Sequence, residues 1–127
     1  MANDVTADGD WGADDMIRAK GSDTFCPLGP WMVTHFSVAE AGNVRLRTTV
    51  DGTVCQESST SEMIHSVSEL VSEISSRLTL LPGDVILTGT PAGAATVVPR
   101  QQVEVEIEGI GTLVNSVVAG QNAVVEG

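Results

Sequence analysis

Six aspartates, Asp4, Asp8, Asp10, Asp14, Asp15 and Asp23, crowd the first 24 residues together with Gly9, Gly12 and Gly21. Carboxylate oxygens on a glycine-punctuated loop are the donors that a divalent cation takes, but Mg²⁺ draws on several oxygens at once and a single carboxylate holds it weakly. A second polar group lies far along the chain, in the turn-forming run Gly89-Thr90-Pro91-Ala92-Gly93. It is not a phosphate loop, because no Lys-Ser/Thr follows and no helix is predicted after it. Taken alone, Thr88 and Thr90 are strand-end hydroxyls beside a turn. His65 borders the apolar positions of a predicted helix and reads as a structural or surface residue. His35 has no Ser or Cys partner at a readable spacing, which argues against a nucleophilic triad. Cys26 and Cys55 form no CxxC pair and are too few for a thiolate cage, so both are expected reduced, in a cytoplasmic protein.

These residues must be positioned by a small, strand-rich chain. At 127 residues it has the size of one domain, and its 42% apolar content can supply a core. The run 44–50 alternates, Asp51-Gly52 follows, and 53–57 continues as a second strand. Asp-Gly between two such runs is a hairpin signal, since both central positions of a type I′ turn need positive φ. Ser59 and Glu62 have capping-box spacing. After them Met63, Ile64, Val67, Leu70, Val71, Ile74 and Leu78 recur at helical spacing, which predicts one main helix over about 61–79 lying on a sheet. Leu80-Leu81-Pro82-Gly83 ends it.

Residues 31–34 and 84–88 read as further strands, the second buried. The run 102–108 alternates, with Val103, Val105 and Ile107 inward and Glu104, Glu106 and Glu108 outward, where they make a solvated face and a guard against edge pairing. Gly109-Ile110-Gly111 turns the chain into a last strand over 112–118, and 121–127 reads as a frayed tail. No internal repeat is visible, and residues 1–24 show neither a helical nor a strand period.

With 17 acidic against 6 basic residues the formal charge is −11. Too few cations are present to neutralise a run of phosphates, so nucleic acid and anionic membrane surfaces are excluded as partners. No apolar run approaches the roughly 20 residues of a membrane span, and Met1-Ala2-Asn3-Asp4 has no signal-peptide character.

Three stretches carry a resemblance: Asn3-Asp4-Val5-Thr6-Ala7; Arg18-Ala19-Lys20-Gly21 through Asp23-Thr24-Phe25-Cys26-Pro27-Leu28-Gly29-Pro30-Trp31; and Leu80-Leu81-Pro82-Gly83-Asp84-Val85-Ile86-Leu87-Thr88-Gly89-Thr90-Pro91-Ala92-Gly93. They resemble the C-terminal part of the catalytic domain of the fumarylacetoacetate hydrolase family, which includes hydroxyheptadienedioate isomerases and acylpyruvate hydrolases. The resemblance implies a β-rich α+β fold, a mixed β-roll or sandwich, truncated, with residues 1–120 as a partial catalytic domain. It also implies a Mg²⁺ (or Mn²⁺ or Ca²⁺) cofactor, bound weakly by this chain alone, and a homodimer or higher homo-oligomer acting on a small keto or enol acid from aromatic breakdown. Residue by residue, Asp4 matches a metal ligand, Lys20 a catalytic residue beside metal and substrate carboxylate, and Thr90, with Gly89, a contact to that carboxylate.

The chain departs from the family pattern in several places. Asp8-Gly9-Asp10-Trp11 stands where the family usually has Arg-Asp and then Gln. Ala94-Ala95 follows the Gly-Thr-Pro loop in place of Val-Gly. Two metal-binding glutamates and a His-Glu lid pair that the family carries upstream have no counterpart here. A non-catalytic remnant, or a stand-alone β-rich oligomerisation module, is therefore the alternative expectation.

Overall fold

The computed structural model describes residues 1–7, 9 and 16–119. The acids Asp8, Asp10, Asp14 and Asp15 and the tail 121–127 lie outside the described residues. Four strands, β1 (Arg45–Val50), β2 (Thr53–Ser59), β3 (Gln102–Ile107) and β4 (Gly111–Ser116), form one antiparallel sheet in the order β2-β1-β3-β4. Three short helices accompany it: α1 (Met16–Lys20), α2 (Val38–Ala41) and α3 (Val67–Ser75). This is the β-rich α+β organisation expected from the sequence.

The β1–β2 hairpin closes as its sequence predicts. Asp51 (φ 49°) and Gly52 (φ 78°) both take left-handed conformations, the requirement of a type I′ turn. The Asp51 carboxylate also ties the turn to β3, accepting from the Gln102 amide at 2.9 Å and from the Gln101 side chain at 3.0 Å. Further along, Thr48 pairs with Gln56 but Thr49 pairs with Val54, so Cys55 is an extra, unpaired residue on β2. A β-bulge of this kind re-aims the side chains beyond it, and Gln56 is the first of them.

Residues directly opposite each other share a sheet face. One face carries Leu46, Thr48 and Val50 of β1, Val103, Val105 and Ile107 of β3, Leu113 and Asn115 of β4, and Gln56 of β2. Val103, Val105 and Leu113 are buried there, each stabilising by roughly 1.5–3 kcal/mol relative to an exposed side chain. The N-terminal half of the chain supplies the cover. Gly29 lies against Leu113, Trp31 against Gly111, and Phe36 against Gly109. Ala2 bridges to Leu28, and the Asn3 side chain donates to the Asn115 side chain at 3.1 Å.

On the opposite face Arg47 pairs with Glu106 at 2.6 Å, directly across β1 and β3. The glutamates of β3 therefore do not guard an edge: β3 is an interior strand, and the exposed edges are β2 and β4.

The main helix is shorter than its apolar pattern suggests. Ser59 caps only a 3-10 turn over Thr60–Glu62, and Met63 then leaves helical geometry at ψ 138°. The capping box that opens α3 is Ser66 with Glu69, seven residues later, at the same S-x-x-E spacing. No residue of α3 is buried, and Ile64, which precedes it, is 94% exposed. The stripe is present, but it does not pack down on this sheet as the periodicity predicts.

Neither 31–34 nor 84–88 is a strand; Met32 and Val85 are exposed. Apolar content alone makes no strand, because a strand exists only through a neighbour's hydrogen bonds, and the four described strands pair among themselves. Among the described residues no helix is long and apolar enough to cross a membrane.

Candidate functional site

The first cluster is built from two segments that the sequence separates by 16 positions. Asn3 is fixed twice, its amide donating to the Pro27 carbonyl at 3.1 Å and its side chain to Asn115, which sets the place of Asp4. The Ala7 amide donates to the Ala19 carbonyl at 2.7 Å, and Ala19 is the one buried residue of α1. The chain 3–7 is thus laid along the end of α1, where Lys20 is the last helical residue.

Lys20 Nζ lies 2.7 Å from Asp4 Oδ2 and donates to Thr6 Oγ1 at 2.8 Å. An ammonium has three donors, so among the described residues the third is left for a ligand. The two side chains are 29% and 35% exposed, which keeps the pair reachable from solvent.

The second cluster is the loop carrying Gly89 and Thr90. Gln56, brought onto the core face just after the bulge, is buried (8% exposed), and its side-chain nitrogen donates to both Thr90 Oγ1 and the Pro91 carbonyl at 2.7 Å. Gly93 (φ 98°) passes so close to the Cys55 carbonyl that a Cβ there would collide with it. The bulge, Gln56 and Gly93 together seat the loop on β2, with Thr90 and Gly89 exposed. Gly89 itself (φ 93°) stands in open space.

The fold therefore brings Asp4 and Lys20 into contact. Thr90 is anchored from the β2 side, whereas Asn3 ties the Asp4 segment to β4 at the other edge. Sequence reading did not single out Gln56 or the Asn3–Asn115 tie. The signal for Gln56 is a long polar residue on the inward register of a strand, which only the bulge makes inward. His35 and His65 are exposed, His35 packing edge-on against Phe36, and both cysteines are free.

A divalent cation can be tested against this donor set. Among the described residues no three His, Cys, Asp or Glu side chains converge, and one oxygen of Asp4 is already engaged by an ammonium. Mg²⁺ demands near-octahedral oxygen coordination. The described residues on their own do not fit it; Asp4 offers one ligand at most.

The described residues are thus a small antiparallel-sheet domain with a carboxylate–ammonium pair and, seated on β2, a Gly-Thr-Pro loop. The chain belongs to the fumarylacetoacetate hydrolase family: residues 1–118 match the fumarylacetoacetate (FAA) hydrolase C-terminal domain. It is 44% identical over 107 residues to the 4-hydroxyphenylacetate degradation bifunctional isomerase/decarboxylase of Salmonella dublin, covering 84% of this chain and 25% of that one. The crystal structure of 2-hydroxyhepta-2,4-diene-1,7-dioate isomerase from Mycobacterium marinum superposes with a TM-score of 0.80 at 48% identity, over 92% of this chain and 46% of that one. Maleylpyruvate hydrolase from Sphingobium sp. SYK-6, solved with manganese (II) and pyruvate, gives 0.74 at 33% identity, over 78% and 38%. The chain thus spans less than half the length of each. These relatives are named as isomerases, a decarboxylase and a hydrolase of small organic acids.

Proposed function

We propose that this chain forms the carboxylate-holding part of a metal-dependent hydrolase or isomerase acting on acylpyruvate-like or 2-hydroxy-dienedioate acids. The Asp4–Lys20–Thr6 cluster is the observation that carries this reading. In it Lys20 holds the substrate carboxylate with its remaining N–H, Asp4 and Thr6 fix where that ammonium points, and Thr90 and Gly89 offer hydroxyl and amide donors from the second loop. The relatives' names, isomerase and hydrolase, suit two reactions: a keto–enol proton shift, or hydrolysis of a carbon–carbon bond in which water's OH goes to the acyl carbon and its proton to the released carbon. Asp4 contributes one ligand to Mg²⁺ or Mn²⁺. One carboxylate alone holds such an ion weakly, so the other donors come from outside the described residues.

Homo-oligomerisation in the cytoplasm belongs to the same proposal. Two free cysteines suit a reducing compartment. Among the described residues Ile17, Met32, Ile64, Leu78 and Leu81 are all more than 60% exposed, which is surface that another chain would cover.

The reading of a non-catalytic module is favoured by one observation, that among the described residues no further carboxylate joins Asp4. An ultraviolet assay of acylpyruvate consumption with Mg²⁺ separates the two. Turnover above buffer that falls at least tenfold in both Asp4→Asn and Lys20→Met supports the enzyme. A wild-type rate equal to buffer leaves the module.

A further inference from the structure

We infer that Gln56 is a positioning residue for Thr90, holding its hydroxyl oxygen in place by donating into one lone pair and leaving the hydroxyl proton for an acceptor oxygen of the ligand. The inference rests on the proposed carboxylate-binding role of that loop and adds the buried side chain that positions it. Amide nitrogen and oxygen are exchangeable in outline, but here the neighbours decide between them. The Pro91 carbonyl can only accept, so the group 2.7 Å from it must be the NH₂ of Gln56. The same nitrogen then gives its second proton to Thr90 Oγ1, also at 2.7 Å.

A hydroxyl has one proton and two lone pairs. With Gln56 donating into one lone pair, the Thr90 proton is not needed by Gln56 and stays free, on an exposed residue, to be donated to a carboxylate or carbonyl oxygen arriving there. Gln56 can do this because it is buried and both its N–H groups are committed to one loop. The Cys55 bulge turns it onto the core face, and the close pass of Gly93 over Cys55 seals the arrangement.

The test uses the full chain, with sodium pyruvate as the probe of an acceptor-bearing acid. Two-dimensional NMR gives the Gln56 side-chain NH₂ signals and the Thr90 amide, and the same titration gives the dissociation constant. Three variants are compared with wild type: Thr90→Val, which deletes the hydroxyl at constant shape, Thr90→Ser, which restores it, and Gln56→Met, which keeps length and removes the donor.

The expected result is slowed exchange of the Gln56 NH₂, pyruvate binding weakened about tenfold in Thr90→Val and in Gln56→Met, near wild-type binding in Thr90→Ser, and no additional loss when Gln56→Met is added to Thr90→Val. A Gln56 that served only overall stability would lower the urea midpoint of Gln56→Met and leave the pyruvate dissociation constant of the folded protein unchanged. Pyruvate binding unchanged in a folded Gln56→Met protein overturns the inference and leaves the proposed function standing. Absence of saturable pyruvate binding by the wild type overturns both. Slowed Gln56 exchange in that event establishes the clamp as architecture only.

Discussion

Replacing Gly93 by alanine probes the seating of the Thr90 loop through two separable costs. The first is conformational: an L side chain at φ 98° costs roughly 1–2 kcal/mol. The second is steric, because the added Cβ would collide with the Cys55 carbonyl, a backbone atom in the sheet that no rotamer change can move. The loop must lift, and lifting it breaks both Gln56 hydrogen bonds and strands a buried amide, for roughly 1–3 kcal/mol more. Gly83→Ala is the matched control, with nearly the same φ of 101° but nothing within 4 Å of its Cβ, so it carries only the conformational cost. Urea denaturation of the two variants should place Gly93→Ala below Gly83→Ala by roughly 1–3 kcal/mol. Hydrogen exchange should show faster exchange across 89–93 and at the Gln56 side chain in Gly93→Ala alone. Equal stabilities for the two variants, with the Gln56 signals unmoved, would refute the reasoning that the bulge and Gly93 seat this loop.

The same structure makes other outcomes testable. The Glu69 carboxyl is held below its ordinary value of 4.5 by the Ser66 amide and then the Ser66 hydroxyl. Its folded value being depressed, this support for α3 is present above about pH 4.5 and is lost as pH falls through the folded value. An NMR titration from pH 6 to pH 3 should show the first turn of α3 losing helical shifts at the acid end, whereas a Glu69 carboxyl titrating at or above 4.5 contradicts the capping box. Ser66→Ala should cost about 1 kcal/mol of helix stability, checked by urea denaturation. The Arg47–Glu106 pair, with both side chains 48% exposed, should give a coupling of at most about 1 kcal/mol in a double-mutant cycle and less in high salt. Calorimetric titration with Mg²⁺ should show no saturation below millimolar concentration, and Asp4→Asn should remove whatever heat remains; micromolar binding that survives Asp4→Asn would contradict the ligand role proposed for Asp4.

The sheet was legible in the sequence because its signals are local. Asp51-Gly52 dictates its own turn, and the alternation from Val103 to Ile107 has one solution once a core face exists. The helix was legible in kind but not in bounds: two S-x-x-E boxes stand seven residues apart, and spacing alone does not say which one the chain uses. The apolar run at 84–88 was misread because pairing is a property of neighbours and not of the run. At the site, the family motif pointed to Asp4, Lys20 and Thr90, and the fold explains why the first two meet: Ala7 bonds to Ala19. Gln56 was invisible, since its inward direction depends on a one-residue bulge at Cys55 that leaves no mark in composition.

We propose that the Lys20 ammonium and, at the other edge of the sheet, the Thr90 loop each donate to oxygens of an acidic ligand. The most direct test is a pyruvate titration of the isotope-labelled protein followed by NMR at every assigned amide. Saturable shifts are expected at Thr6 and Lys20, lost in Lys20→Met, and at Gly89 and Thr90, lost in Thr90→Val. Shifts confined to the outer sheet face around Arg47 and Thr112 would contradict this.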